Sequence, residues 1–108
     1  MNFDDIQKRA IEISEKYDEL NRQKRGIVWD EQQLMAGFVA DVGELSEIIM
    51  AKHGLREIDD VDEKLAHELS DCLYSVLVLS AKFNIDLPNE FMKTMDGLDK
   101  RIDSELAA

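Results

Sequence analysis

Residues 37–71 read GFVADVGELSEIIMAKHGLREIDDVDEKLAHELSD, and this stretch decides the fold. Five carboxylates, Asp41, Glu44, Glu47, Glu68 and Asp71, are set into two segments that otherwise carry core residues. At about 100° per residue, Leu34, Phe38, Val42 and Ile49 fall within about 60° of Leu45, and Asp41, Glu44 and Glu47 descend one flank. The same construction on the next segment gathers Leu65, Leu73, Val76, Ser80 and Phe83 around Leu69, with Glu68 and Asp71 at matching flank angles. Two amphipathic helices with paired acid rows are expected.

Acid pairs three apart arise by chance in a chain with 24 Asp and Glu among 108 residues. Compensation separates the cases. Glu12, Glu15 and Asp18 are interleaved with Lys8, Arg9, Lys16 and Arg22, as on a solvated face, whereas no Lys or Arg lies between Glu31 and Ala51 or between Leu65 and Ala81. Carboxylates beside a core without basic partners repel one another and lose hydration, at a cost of several kcal/mol unless a cation or protons relieve it. A divalent cation is the economical reading, and a solvated acidic face is the alternative.

Gly43-Glu44-Leu45-Ser46-Glu47, a gap of twenty residues, and Glu68-Leu69-Ser70-Asp71 followed by Cys72-Leu73-Tyr74-Ser75-Val76-Leu77 resemble the Glu-x-x-Glu and Glu-x-x-Asp signature of the MazG-like, all-α nucleoside triphosphate pyrophosphohydrolases. The resemblance extends from about Trp29 to Ile102 and includes Ile85-Asp86-Leu87-Pro88. It implies a four-helix, bundle-like MazG fold over residues 1–108, Mg²⁺ (or Mn²⁺) held by Glu44, Glu47, Glu68 and Asp71, and cleavage of a nucleoside triphosphate to monophosphate and pyrophosphate. In the last helix, where members of that family carry an Asn and a basic residue against phosphate, this chain reads Lys93-Thr94-Met95-Asp96-Gly97-Leu98-Asp99-Lys100-Arg101, with no Asn. Lys93, Lys100 and Arg101 are the candidate phosphate contacts by spacing. Phosphoribosyl-ATP pyrophosphohydrolase is a variant within the same superfamily.

A length of 108 residues suits one domain, and a formal charge of −11 argues against nucleic acid or an anionic membrane as partner. The single Cys72 reads as a small buried hydrophobe in a reducing, cytoplasmic setting. No stretch approaches the roughly 20 apolar residues of a membrane span, and no opening run resembles a signal peptide.

The first helix is expected from about Phe3 to Lys24, with Ile6, Ala10, Ile13, Tyr17 and Leu20 as its stripe. Asp30 with Gln33 caps the second, which ends near His53-Gly54, and Asp60 with Glu63 offers a second capping pair for a helix running to about Asn84. Pro88 suits the first turn of a fourth helix carrying Phe91, Met95, Leu98 and Ile102. Met35, Val39, Ile48, Met50, Val78 and Leu79 lie outside the narrow stripes, so helices 2 and 3 are expected at the interface of a homodimer or tetramer.

Hard oxygen donors suit Mg²⁺ or Mn²⁺, which retain waters and accept phosphate oxygens. Gly37, Ala40 and Ala51 on the acid flank of helix 2, and Ser75 on that of helix 3, leave room for them. Glu44 or Glu47 is the expected general base. Asp41 holds a second ion or orients a neighbour. Trp29 stacks on a nucleobase, or is a hydrophobic staple or interface residue. His53 and His67 read as surface residues. A di-iron carboxylate bundle would need Glu-x-x-His on two helices, and no His follows a Glu by three. A non-enzymatic acidic helical module is the remaining alternative.

Overall fold

The computed structural model describes residues 1–108 as four helices and no strand: α1 (Phe3–Arg25), α2 (Glu31–Lys52), α3 (Val61–Lys82) and α4 (Leu87–Ala107). No helix is long and apolar enough to cross a membrane.

The helix ends follow local chemistry. Asn2 and Asp5 exchange backbone and side-chain hydrogen bonds in a capping box before α1. Asp30 and Gln33 do the same before α2, at 2.8 and 2.9 Å. Gly26 ends α1 in the left-handed region at φ 69°, its N–H donating to the Arg22 carbonyl. At the end of α3, Asn84 takes φ 56° so that its own N–H reaches Ala81 and that of Ile85 reaches Ser80.

Asp60 corrects the sequence reading. It precedes α3 in the left-handed region at φ 53° and makes no side-chain capping bond, because extended backbone is what aims an N-cap carboxylate at the next turn's amides. Replacing Asp30 by Ala is therefore expected to cost about 1 kcal/mol. Asp60→Gly, which relieves the left-handed backbone at about 0.5–1 kcal/mol, should leave stability unchanged or higher. Urea titration of the two variants checks the contrast.

In the three-helix layer, α3 packs against α2 on one side and α1 on the other. The α2–α3 contact is antiparallel along a heptad seam: Leu34, Phe38, Asp41, Leu45 and Ile48 face Val61, Leu65, Glu68, Cys72, Ser75 and Leu79. On α3 this seam is rotated by roughly 80° from Leu69. Residues at the centre of the sequence-derived stripes accordingly lie open, with Leu69 52% exposed, Leu73 48% and Val42 45%.

The core is small. Leu77 (2% exposed), Val78 (3%) and Ala10 form it, flanked by Phe3, Leu34, Tyr74 and Leu87. On α1 the buried positions are Ala10, Ser14 and Asn21, not Tyr17 and Leu20, because small side chains let α1 approach α3 closely. Gln7 Nε2 donates to Ser80 Oγ at 3.2 Å across that contact.

The chain is all-helical and consistent with a helical bundle, but the bundle is open. Leu87 anchors the start of α4 on the core, and no residue of α4 is buried. The accessible surface of 8327 Å² is roughly a third more than the ~6,100 Å² of a compact monomer of 12.4 kDa. The Cα radius of gyration is 17.5 Å, against about 13 Å for a compact chain of this length.

Candidate metal centre

The heptad seam places Asp41 and Glu68 at the α2–α3 contact, where a coiled pair ordinarily puts apolar side chains. Glu68 is 9% exposed, and its Oε2 is buried without a hydrogen-bond partner. Ligand oxygens of Asp41, Glu44 and Glu68 lie within 4.8 Å of one another, as do those of Glu68 and Asp71 with a ring nitrogen of His67. Glu68 belongs to both groups.

Two full negative charges within 4.8 Å repel by about 3 kcal/mol at an effective dielectric near 20. The proton affinities rise in response. Burial pushes the Glu68 carboxyl above the ordinary range, aided by a hydrogen bond with Glu44 and by the charges of Glu44, Asp71 and Asp41. Asp41 is raised as well, first by burial, then by Asp71 and Glu44, with His67 acting in the opposite sense. Cys72, on the same seam, is raised by burial and then by Asp41, Glu68 and Asp71. A cation would relieve these charges as protons do, and would give Glu68 Oε2 the partner it lacks. The carboxylate oxygens of Asp41, Glu44, Glu68 and Asp71 are donors of the kind Mg²⁺ or Mn²⁺ takes, whereas the His67 nitrogen beside them is a donor that softer divalent ions favour.

The other expected site residues are distributed unevenly. Glu47 lines a cavity of about 400 Å³ with Glu44, Ile48, Ile58, Lys64, His67 and Glu68, but its Oε1 is 2.9 Å from Arg56 Nη1 and it joins neither ligand cluster. The basic partner missing from its own helix comes from the α2–α3 connection. Asp71 meets His67 Nε2 through Oδ2 at 3.1 Å, one helical turn apart. Trp29 leans over Gly37: a methyl group there would stand 3.4 Å from Trp29 Cζ3. That places the indole on the acid flank of α2, two turns before Glu44 and about 10 Å from it along the helix. Lys93, Lys100 and Arg101 are exposed on α4 and none lines the acid cavity; Lys93 stands 3.7 Å from Glu90.

Three functional candidates escaped the sequence reading. His67 is four residues before Asp71, a spacing that signals a pair on one helix face. Lys64 lies on the Glu68 flank just outside the stretch free of Lys and Arg. Arg56 carried no local signal, since only the turn after α2 brings it back to Glu47.

Comparison of the chain with family models, with curated proteins and with solved structures finds no match.

Proposed function

We propose that this chain is a Mg²⁺-dependent nucleoside triphosphate pyrophosphohydrolase of MazG-like type, converting (d)NTP and water to (d)NMP and pyrophosphate. The observation that carries the metal-site part of the proposal is Glu68: a glutamate buried at a helix seam among three other acids, with one oxygen unpartnered. The cleavage position rests on the Glu44/Glu47 and Glu68/Asp71 motif pair.

Glu44, Glu68 and Asp71 would hold the ion, with Asp41 as the inner donor and Glu47 at the rim. Bound there, Mg²⁺ would neutralise phosphate oxygens and lower the pKa of a coordinated water. Glu44 would serve as the base in preference to Glu47; what supports this is that its carboxylate is exposed beside the cluster while that of Glu47 is engaged by Arg56. Water oxygen bonds to the α or β phosphorus, its proton passes to the base, and the α–β anhydride bond breaks with the electron pair leaving on the departing phosphate group. Lys64, which lines the cavity, and Arg56, paired with Glu47 at its rim, would meet the triphosphate in place of the α4 cations. Trp29 would stack on the base. The assembly we propose is a homodimer, driven by the large apolar side chains that a single copy leaves exposed.

A panel of canonical and modified nucleotides with Mg²⁺ is expected to release pyrophosphate and monophosphate, with ¹⁸O from labelled water appearing in one of the two. Orthophosphate and a nucleoside diphosphate as products would show cleavage of the β–γ bond and refute the assignment.

A further inference from the structure

Helix α4 is 21 residues long, yet only its first residue packs on the core. Phe91, Met95, Leu98 and Ile102 recur at helical spacing and are all open to solvent. An amphipathic helix draws most of its stability from burying such a stripe. The chain cannot turn α4 back freely, since the four-residue connection from α3 is fixed by the left-handed Asn84, its two backbone bonds and the Leu87 anchor. A second unpartnered apolar surface lies between α1 and α3, where Ile6, Ala10, Ile13, Leu73, Tyr74 and Leu77 line a groove of about 300 Å³.

We propose that α4 is an exchanged helix: its apolar stripe seats in the groove between α1 and α3 of a second copy of this chain, whose α4 does the same in return. The flanks match in charge. Arg9, whose guanidinium reaches Glu12 at 3.0 Å, lines the α1 side of the groove, and Asp99 borders one side of the α4 stripe. The area matches too. The surface in excess of a compact monomer, summed over two copies, comes to about 4,400 Å², within the range buried by obligate homodimers. A reciprocal contact of this kind closes on itself as a two-fold dimer.

The test uses light scattering and small-angle X-ray scattering on the full chain at micromolar concentration. Wild type is expected at twice the chain mass. Leu98→Glu with Ile102→Glu in the stripe, and Ile13→Glu with Leu73→Glu in the groove, should each give a monomer. The stripe variant touches nothing in its own core, so circular dichroism should still report helical α1–α3. Mixed one to one, the two variants should recover a dimer, because one intact stripe then meets one intact groove. A wild-type monomer with a radius of gyration near 13 Å would mean that α4 closes on its own chain, and overturns the proposal. A stripe variant that stays dimeric, or a mixture that stays monomeric, overturns it as well.

Discussion

Glu68→Gln is expected to melt about 5–10 °C above wild type at pH 7.5 in the absence of metal, while losing the stabilisation by Mg²⁺ that the proposed site predicts for wild type. The carboxylate is buried beside Asp41, Glu44 and Asp71 with one oxygen unpartnered, so the amide of the variant removes a charge and adds donors facing acceptors. Relief of about 1–2 kcal/mol is the order expected, worth about 4–8 °C per kcal/mol in a domain of this size. The sign of the pH dependence follows. Native Glu68 and Asp41 hold their protons more tightly than the unfolded chain does, so their contribution is complete below the ordinary carboxylate range. It is lost as pH rises through the raised native values. Metal-free wild type should therefore gain stability from neutral toward mildly acid pH, and Glu68→Gln should flatten that slope. If the proposed hydrolysis runs through this site, it should fall at least ~100-fold, since a proposed ligand is gone. Calorimetry across this range in chelator, with and without Mg²⁺, checks each part; a variant that melts below wild type without metal would remove the argument for a strained acid cluster.

Leu77→Ala should be the most damaging single truncation. Its side chain is 2% exposed in a cluster with Ala10 and Val78, in a chain with only four buried apolar residues, and such a truncation costs about 2–5 kcal/mol. In a domain this open, that is a large share of the whole stability, and the melting temperature should fall by more than about 10 °C. Leu106→Ala, at a position 78% exposed, should stay within about 0.5 kcal/mol of wild type. Chemical denaturation of both decides whether the small cluster around Leu77 carries the fold.

Much of this architecture is written locally. The Asp30–Gln33 box, the glycine ends at Gly26 and Gly54 and the turn before Pro88 each depend on residues within one helical turn, and their positions agree with the structure. Asp60 fails as a cap because its side chain depends on a backbone angle that the sequence does not display. The acid rows were legible as rows. Which acid goes inside was not, since it depends on the rotation of each helix about its axis. That rotation is set by the partner helix: the alternation of Leu34, Phe38, Asp41, Leu45 and Ile48 by four and three carries the signal once a heptad is used instead of a single wheel centre. Arg56 and Trp29 take their places from turns, which no periodicity describes.

The polar step in the α2–α3 seam also has a bearing on alignment. Antiparallel helices with purely apolar seams can slide by a heptad at little cost, because one leucine replaces another. Here a slide in one direction would bring Glu68 against Phe38 and Asp41 against Leu65, and in the other would set Asp41 against Leu79. Each would strand a carboxyl among hydrocarbon, away from the acids and the imidazole that now surround it, at a cost of several kcal/mol. The clustered carboxyls thus act as a detent, fixing the one register in which they meet.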